Sequence, residues 1–469
     1  MTAYLVGGSV RDILMERPIH DLDIAVKGSS LEIGTALGRT LNATPVHMGH
    51  AHGLVRLVLP DQDGRLTVDI SSFDGDIEGD LSRRDFTIDA MAIPLWTPDE
   101  AHPGLVDPLN GSQGLKQRLL RVVKAEAFKD DPARLLRGPR LAAQLAFSIE
   151  KNTKALIKRQ SPLISGVTGE RVRDELMKLL AAPNASKNLR LLDDLGLLRL
   201  LVPELEAALG VEQPKEHHWD VFQHCIETAG AVENVLDNDE ASKAHEVLSS
   251  VPWHPSLDGY FQEEVTDGFN RVALLKFTGL LHDIAKPQTK TIEDSGRMRF
   301  FGHSEVGAKV AQEIMQRLRF SNRGISMVSK MIEHHLRPSQ MAQRGELPTR
   351  RALFKYYRDM GEVAIDTLYL NLADYLAARG PNVDLDDWKG HCCVIGHVLD
   401  YALSASQTQS GYKLVNGHDI MQAFGLSSGR AVGELLKLVQ EAQGAGEIST
   451  KDEALDLVRA NLHLREENA

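Results

Sequence analysis

The sequence of 469 residues contains little cysteine and no long apolar stretch. Three cysteines are too few for a disulfide framework, which favours a reducing, cytoplasmic location: Cys225, Cys392 and Cys393. No apolar run approaches the roughly 20 residues of a membrane span, so we expect no membrane partner. The N-terminal segment reaches Arg11 and Asp12 before an apolar core forms, so we expect no signal peptide.

Positive charge is also in deficit, since 53 Lys and Arg face 65 Asp and Glu and the formal net charge is −12. This balance argues weakly against a nucleic-acid partner, although binding to polyphosphates requires only local positive charge. The hydrophobic fraction of 42% and the charged fraction of 25% are those of a soluble globular protein. The length predicts about three or four domains.

The hydrophobic pattern changes along the chain. Residues 1–125 mix short β-like runs with helical stretches, which predicts an α/β arrangement. Residues 126–235 have the pattern of amphipathic helices, and residues 236–268 form a polar, acidic insertion that we expect to be rich in loops. The remainder is again mostly helical, with a turn-rich break near 404–411.

The segment LVGGSVRD places Gly7 and Gly8 between a predicted strand and a predicted helix. Two glycines let the backbone approach a phosphate, and the N-terminus of the helix offers N–H donors and the positive end of its dipole. Arg11 can reach the same phosphates. Taken alone, however, the segment is more typical of a tight turn between a strand and a helix.

The segment HDLDIAV puts Asp21 and Asp23 two residues apart on a predicted strand, so both carboxylates project from one face and require a counter-ion. Mg²⁺ held by carboxylates and substrate phosphates meets this requirement, and two such ions can activate a 3′-hydroxyl and stabilise a pyrophosphate leaving group. The alternative is an exposed edge strand with solvated acids. Asp69, on a later strand, is either a third carboxylate beside the pair or a solvated position.

The segment RRDFTIDAMA supplies Arg84, Asp85 and Asp89 on a turn that leads into a helix. An arginine beside acidic groups suits contacts to a triphosphate and to ribose hydroxyls. The alternative is a helix N-cap at Asp85 with a surface arginine.

Together, GGSVRD, DLDIAV and RRDFTIDAMA resemble the head-domain motifs of class II tRNA nucleotidyltransferases, the CCA-adding enzymes, and of the related bacterial poly(A) polymerases. FKDDPARLLRGPRLAAQLAF resembles the next motif, which implies that Asp131 and Arg134 hydrogen-bond to the Watson–Crick edge of CTP and ATP. From the residues alone, Asp131 and Pro132 are a helix N-cap and a first helical residue. Arg134, Arg137 and Arg140 recur at helical spacing and would form one basic stripe.

The chain departs from the pattern of this family at several positions. Asp89 stands where the family often has asparagine, and Asp130 stands where glutamate is usual. Pro139 follows Gly138 in a helix that the family usually continues, and we expect the proline to interrupt or kink it. These departures bear on base selection and leave the reaction type unchanged.

A second set of residues surrounds the segment LLHDIAKP, where a His-Asp pair on a predicted helix precedes Lys286. We interpret six residues as metal ligands: His224, His282, Asp283, His303, His334 and Asp374. A second histidine, His335, directly follows His334. A lone histidine is more often a core residue, but this ordered series suits Mn²⁺, Fe²⁺, Ni²⁺ or Mg²⁺ rather than structural zinc. The series resembles the HD superfamily of phosphohydrolases, which implies hydrolysis of cyclic or terminal phosphates by metal-activated water.

The resemblance implies an α+β multidomain fold. A nucleotidyltransferase head of the DNA polymerase β type, with a small mixed sheet, would precede an all-α neck, HD domain and tail. The expected boundaries are 1–125 for the head, 126–210 for the neck, 211–400 for the HD domain with the insertion at 236–268, and 401–469 for a helical tail that binds tRNA.

We therefore expect template-independent addition of CMP and AMP from CTP and ATP to the 3′ end of tRNA, with Mg²⁺ in the head and release of pyrophosphate. Addition of A only, of CC only or of poly(A) stays open, as does an HD phosphohydrolase whose head only binds RNA. A non-catalytic scaffold is disfavoured, because it has no use for two clustered acids beside a phosphate-binding turn.

Overall fold

The computed structural model describes residues 2–19, 21–47, 53–61, 64–95, 104–342, 346–408 and 413–467. The chain forms two compact units, Met1–Pro203 and Glu204–Ala469. The first unit combines a mixed sheet with helices, and the second is mostly helical, which confirms the expected α+β multidomain architecture. Within the described ranges, no helix has both the length and the apolar character that crossing a bilayer requires.

The head is built on one six-stranded sheet. Its strands are β1 Ala3–Val6, β2 Asp21–Lys27, β3 Pro45–His47, β4 Val55–Asp61, β5 Gly64–Phe73 and β6 Ala92–Pro94. They lie in the order β3-β4-β5-β2-β1-β6; β2 and β5 pair in parallel, and the other neighbours are antiparallel. The accompanying helices are α1 Gly7–Leu14, α2 Ser30–Thr40, α3 Ile77–Leu81 and α4 Gly111–Gln117, with a 3₁₀ helix at Thr87–Asp89.

The two faces of this sheet differ in character because alternate residues of a strand point to opposite sides. On one face, Val26, Leu57 and Val68 belong to a buried cluster. On the other face, Ala25 and Phe73 belong to a second cluster. Each fully buried aliphatic side chain contributes about 1.5–3 kcal/mol, so both clusters hold β2 and β5 firmly. On the second face, Asp21 and Asp23 of β2 and Asp69 of β5 stand in place of apolar side chains.

Along the chain, two short strands and six α-helices follow helix α4, and all but the first strand lie in the expected neck. They are β7 Leu119–Leu120, β8 Ser148–Ile149, α5 Ala127–Asp130, α6 Arg134–Leu145, α7 Lys151–Gln160, α8 Gly169–Ala181, α9 Ala185–Asp194 and α10 Leu198–Leu201, with 3₁₀ helices at Ser161–Gly166 and Pro203–Ala208. Helix α6 continues through Pro139, so the expected interruption there is wrong. Proline removes one helical hydrogen bond, but Gly138 and Pro139 are both buried, and a Cβ on Gly138 would lie 3.0 Å from the Phe86 ring. This close packing keeps the helix continuous.

The second unit is dominated by helices. They are α11 Val221–Leu236, α12 Glu240–Lys243, α13 Glu246–Ser249, α14 Ser256–Gln262, α15 Arg271–Leu281, α16 Lys286–Thr289, α17 His303–Arg317, α18 Asn322–His334, α19 Arg337–Gln340, α20 Arg350–Met360, α21 Ala364–Arg379 and α22 Leu385–Thr408, with a 3₁₀ helix at Gly361–Val363. Two hairpins are formed by β9 Glu264–Thr266 with β10 Phe269–Asn270 and by β11 Lys290–Ile292 with β12 Met298–Phe300. The segment 236–268, expected as a loop-rich insertion, contains the short helices α12 to α14 joined by loops.

The C-terminal segment forms a small helical cluster of its own. Its helices are α23 Gly417–Phe424, α24 Arg430–Gly444 and α25 Lys451–Glu467. Asn416 and Asp419 form a capping box at the start of α23, and Gly425 ends that helix with φ +64°. Turns at residues 425–429 and after Gly444 separate the three helices. Of the break expected near 404–411, residues 404–408 are still part of helix α22, and residues 409–411 lie outside the described ranges.

The buried hydroxyl of Ser9 joins α1 to β2, because it accepts from Asp23 N at 2.7 Å and donates to Asp21 O at 3.0 Å. Ser9→Ala removes the partner of both backbone groups, so we expect the local free energy of opening of β2 to fall by about 1–3 kcal/mol. Hydrogen–deuterium exchange mass spectrometry should show roughly tenfold lower protection of the β2 amides. Ser82→Ala, which removes an exposed hydroxyl, is the control. Equal protection of β2 in both variants would contradict the bridging role.

Candidate active site and metal centre

The turn between β1 and α1 brings the diglycine against the acids of β2. Helix α1 begins at Gly7, directly after β1 ends at Val6. Gly7 has φ +68°, in the left-handed region that favours glycine. A Cβ at this position would lie 2.7 Å from Arg84 Nη1 and 2.9 Å from Asp23 Oδ2. Because Gly7 has no side chain, a space remains open between Arg84 and Asp23 at the N-terminal, positive end of helix α1.

The carboxylates of the head lie on two neighbouring strands. Asp23 pairs with Asp69 in the parallel register of β2 and β5, and Asp21 lies two residues earlier on the same face. Burial raises the pKa of Asp23; Arg84 opposes this effect, and Asp69 raises the pKa further. Acids that are costly to ionise side by side are stabilised by a cation, so this donor set of carboxylate oxygens fits Mg²⁺.

A cavity of about 180 Å³ lies between the diglycine turn and the sheet. It is lined by Val6, Gly7, Gly8, Asp23, Leu54, Asp69, Ser71, Arg84, Asp85, Asp89 and Arg137. All but Val6, Leu54 and Ser71 are residues that the sequence predicts for nucleotide or metal binding. Asp21, which is exposed, and Arg11 are not part of this lining.

The arginines around the cavity are paired with its acids. Arg11 Nη1 lies 2.7 Å from Asp89 Oδ1, and Arg137 Nε lies 2.9 Å from Asp85 Oδ2. Asp85 raises the pKa of Arg137 far above its usual range. Burial raises the pKa of Asp89, whose Oδ2 is buried without a hydrogen-bond partner among the described residues. Among the described residues that line the cavity, Arg84 and Arg137 carry positive charge, whereas Arg11 lies outside the lining.

The residues predicted to select the base and to extend the basic stripe lie on the neck. Asp131 Oδ2 accepts from Arg171 Nη2 at 2.7 Å, and its Oδ1 accepts from Ala133 N at 3.2 Å. Helix α6 begins only at Arg134, so its N-cap is Ala133 and not Asp131 as expected. Arg134 donates to two backbone carbonyls, and Arg140 Nε donates to Glu175 Oε2 at 2.8 Å. Asp131, Arg134 and Arg140 do not line the described cavity, so their contact with a nucleotide stays a prediction.

In the second unit, four predicted ligands converge from three helical segments: His224 on α11, His282 and Asp283 at the end of α15, and Asp374 on α21. His224 Nε2 lies 3.2 Å from His282 Nε2 and 3.1 Å from Asp374 Oδ1. His282 Nε2 lies 3.2 Å from Asp283 Oδ2. Atoms that bind one ion at about 2.1 Å stand about 3.0–3.4 Å apart, so these four atoms fit a single divalent cation.

The other oxygen of Asp283 faces a second group of ligands. Its Oδ1 lies 3.4 Å from His303 Nε2 and 3.8 Å from His335 Nε2. In the part of the chain that the structure describes, Asp283 Oδ1 and His303 Nε2 are buried without a hydrogen-bond partner. Buried polar atoms of this kind require a partner. A carboxylate with one oxygen towards each group fits a site for two metal ions.

Of the two histidines at the end of α18, His335 and not the predicted His334 belongs to a group of potential metal ligands. The His335 ring is buried, with its centroid 5.2 Å from that of His282 and 5.3 Å from that of His303. His334, the last residue of α18, is only partly buried and belongs to neither ligand group. Successive helical residues project about 100° apart, so only one of the two can face the site.

Backbone carbonyls orient three of the imidazoles. The Nδ1 atoms of His282, His303 and His335 lie 2.8, 2.7 and 2.7 Å from the carbonyl oxygen three residues earlier. If each Nδ1–H donates to that carbonyl, each Nε2 keeps its lone pair for a metal ion. The backbone, helical for His282 and His335 and the end of β12 for His303, thus favours the tautomer that metal binding needs.

The acids of this site attract positive charge. Burial acts to lower the pKa of His282, but Asp283 and Asp374 raise it to about 10. Burial acts to raise the pKa of Asp283, but His282 and Lys286 lower it well below its usual range. Lys286 Nζ lies 2.5 Å from Asp283 Oδ2. The carboxylates are therefore held ionised, as metal ligands must be.

A cavity of about 1080 Å³ opens onto this centre. Five of its lining residues are cations: Lys215, Lys286, Arg297, Arg299 and Arg379. His217 and Gln213 also line it, and Gln213 Oε1 accepts from Lys286 at 2.7 Å. The sequence analysis missed both residues, because neither belongs to a recognisable motif. The excess of cations suits an anionic substrate.

Comparison with known proteins finds matches along most of the chain. Residues 3–121 match the family model of the Poly A polymerase head domain, residues 146–209 that of the "Probable RNA and SrmB-binding site of polymerase A", and residues 221–379 that of the HD domain. An A-adding tRNA nucleotidyltransferase of Deinococcus radiodurans is 31% identical over 465 residues, with 97% of this chain and 95% of the relative covered. A CC-adding tRNA nucleotidyltransferase of Thermus thermophilus is 32% identical over 463 residues, with 96% and 92% covered.

Solved structures of similar fold include the Thermotoga maritima CCA-adding enzyme complexed with tRNA, at a TM-score of 0.59, 23% identity and coverage of 98% of this chain and 91% of that one. The Bacillus stearothermophilus CCA-adding enzyme in complex with CTP matches with a TM-score of 0.62 and 21% identity, covering 100% and 95%. These identities support the fold alone. The two curated relatives, more than 30% identical over nearly their whole length, carry the assignment further: the chain belongs to the family of tRNA nucleotidyltransferases and bacterial poly(A) polymerases, with a fused HD domain.

Proposed function

We propose that the head transfers CMP and AMP from CTP and ATP to the 3′-hydroxyl of tRNA, releases pyrophosphate and so completes the CCA end in the cytoplasm. The observation that carries this proposal is the position of Asp23, which lies against the diglycine turn in a cavity that Arg84 and Arg137 border. The substrate class is supported by the names of the curated relatives, which are tRNA nucleotidyltransferases.

In this proposal, Asp21 and Asp23 would hold Mg²⁺, which when bound supplies Lewis-acid activation of the attacking hydroxyl and neutralises the leaving group. The N–H groups at the start of α1 and the guanidinium groups of Arg84 and Arg137 bind the triphosphate. Gly7 keeps this approach free of side-chain atoms. The head residues thereby orient the α-phosphate for attack and hold the charge that develops on pyrophosphate.

Base selection is assigned to the start of α6. A carboxylate accepts from the exocyclic amine that cytosine and adenine share, and an arginine donates to the ring acceptors. Asp131 and Arg134 offer these groups, and Arg171 holds the carboxylate in place at 2.7 Å. Burial acts to raise the pKa of Asp131, but Arg171 lowers it below its usual range, so the acceptor stays ionised.

A narrower activity is the second candidate, because the curated relatives that cover at least 96% of this chain are A-adding or CC-adding enzymes. Purified protein should be incubated with tRNA transcripts that end at the discriminator base, at C, at CC and at CCA, with CTP, ATP or both. CCA addition predicts two cytidines with CTP alone and a further adenosine with both nucleotides. Growth of the CC-ended transcript only, or of the discriminator-ended transcript by two cytidines only, would establish a partial activity. An adenosine ladder on unrelated RNA would indicate a poly(A) polymerase.

Asp23→Asn should lower the rate of nucleotide incorporation by at least about a hundredfold, because it removes a negatively charged ligand from the proposed metal site. Single-turnover incorporation of one CMP measures this loss. Glu32→Gln, which neutralises an exposed acid on α2, is the matched control and should keep the wild-type rate. Comparable rates for Asp23→Asn and the control would remove Asp23 from the chemistry.

We further propose that the HD domain binds two divalent ions, of Mn²⁺, Fe²⁺, Ni²⁺ or Mg²⁺, and hydrolyses a phosphate ester. Bound metal ions would supply a water nucleophile at neutral pH. His224, His282, Asp283 and Asp374 would hold one ion, and Asp283 with His303 and His335 would hold the other. The cations that line the cavity would bind the phosphate.

His335→Ala should reduce metal content by about one ion per chain and lower hydrolysis of bis(p-nitrophenyl) phosphate at least about tenfold, whereas His334→Ala should stay near wild type in both. Plasma mass spectrometry of the dialysed protein measures metal content, and release of nitrophenolate measures hydrolysis. The two adjacent histidines control for each other. Loss of metal in His334→Ala with retention in His335→Ala would contradict the assignment.

A further inference from the structure

Arg56 on β4 forms a two-point ion pair with Asp69 on β5. Its Nε lies 2.7 Å from Asp69 Oδ1, and its Nη2 lies 2.7 Å from Asp69 Oδ2. The antiparallel register places the two residues directly opposite each other. Both oxygens of the Asp69 carboxylate are therefore engaged by one guanidinium, in the geometry that makes arginine–carboxylate pairs strong.

The same guanidinium stands in the field of the other two acids. Across the sheet, Arg56 pairs with Asp69 and Asp69 pairs with Asp23, so the three side chains form a row on one face. Asp69 and Asp23 line one cavity. Asp69 raises the pKa of Arg56 most, and Asp21 and Asp23 raise it further. Arg56 is thus an internal counter-ion of the whole acidic cluster.

This pairing has a consequence for the third carboxylate. Within the described residues of the head, no three acids bring their oxygens within 4.8 Å of one another, although Asp23 and Asp69 are neighbours in register. Each Asp69 oxygen already accepts from a cationic donor, and the positive charge of Arg56 makes the carboxylate a weaker ligand for a metal ion. From the sequence alone, Asp69 is either a third ligand or a solvated residue; in the structure its partner is an arginine.

We propose that Arg56 is a positioning residue that competes with metal ions for the Asp69 carboxylate and so weakens the affinity of the head for Mg²⁺. The proposal rests on the proposed function insofar as Asp21 and Asp23 are the metal ligands. Because the guanidinium and the metal ion compete for the same carboxylate, the affinity for the metal depends on how strongly Arg56 binds Asp69. The nucleotide phosphates then become necessary partners of the metal, which couples metal loading to binding of the triphosphate.

The interaction differs from an ordinary cross-strand ion pair in what its loss would do. If the pair only stabilised the sheet, removal of Arg56 would lower stability and leave metal affinity unchanged. If Arg56 instead competes with metal ions for Asp69, removal of Arg56 makes Asp69 available as a third ligand and raises the affinity for Mg²⁺. The Arg56 side chain is 38% exposed, so Gln is tolerated there without burying an unpaired group.

The test uses the full-length protein and localised cleavage by Fe²⁺ with ascorbate, because Fe²⁺ bound at a carboxylate site cuts the backbone beside it. Fragments that end near residues 21–23 report the head alone and are distinct from fragments produced at the HD domain. Titration with Mg²⁺ suppresses the head fragments, and its midpoint gives the affinity of the head for Mg²⁺ without substrate or turnover. This measurement succeeds or fails independently of the nucleotide-incorporation assay.

Arg56→Gln should lower the Mg²⁺ midpoint about fivefold to tenfold, as expected for release of one two-point ion pair. Arg56→Lys keeps the positive charge but cannot form the two-point hydrogen bonding of a guanidinium, so it should lower the Mg²⁺ midpoint by less than Arg56→Gln does. The double variant Arg56→Gln with Asp69→Asn should lose the gain of the single variant. Arg39→Gln, on exposed α2, is the control and should match wild type. Circular dichroism checks that each variant is folded.

An unchanged or higher midpoint in folded Arg56→Gln would overturn the proposal, since Asp69 would then not be restrained by Arg56. A gain that persists in the double variant would overturn it as well, because the added affinity would not come from Asp69. If Arg56→Lys equals wild type while Arg56→Gln gains, charge alone accounts for the effect and the proposed restraint is wrong.

Discussion

The mutual repulsion of carboxylates held close together on a rigid framework governs both sites of this protein. In the head, the parallel register of β2 and β5 puts Asp23 beside Asp69. In the HD domain, Asp283 and Asp374 converge from two helices on the same histidines. Neither arrangement is stable without positive charge, and the chain supplies arginine, lysine and imidazole around each one. The architecture thereby builds two sites for cations and anionic ligands in a protein of formal net charge −12.

The two sites offer different donor atoms to the cations that their clustered carboxylates require. The head offers carboxylate oxygens only, which suits Mg²⁺ and leaves coordination positions for phosphates. The HD site adds four imidazoles, three of which lie within hydrogen-bonding distance of the backbone carbonyl three residues earlier. That orientation favours transition metals and fixes the geometry before any ion arrives. The head, by contrast, keeps one of its acids on an arginine, so its metal chemistry is tied more closely to the arrival of a nucleotide.

Much of the head could be predicted because its signals are local. Strand periodicity was enough to put Asp21 and Asp23 on one face, and the diglycine was enough to predict a turn next to a helix start. Eight residues predicted from short motifs line one cavity. The interruption expected at Pro139 failed because packing of Gly138 against Phe86 outweighs one lost helical hydrogen bond. Selection between His334 and His335 failed because a difference of about 100° in direction at a helix end depends on how that helix is rotated, which adjacent sequence positions do not encode.

By itself, the sequence determined the carboxylate pair of β2 and the diglycine turn before α1, because each depends on residue types at fixed spacing within one element or one turn. The resemblance of its motifs to a known family determined the fold class. Only the tertiary structure decided which partner each charged group keeps. The pairing of Asp69 with Arg56, of Asp85 with Arg137 and of Lys286 with Gln213 depends on registers and packing between segments distant in the chain. A hydrogen-bonded pair requires donor and acceptor about 3 Å apart, so such choices are made by three-dimensional neighbours and not by sequence neighbours.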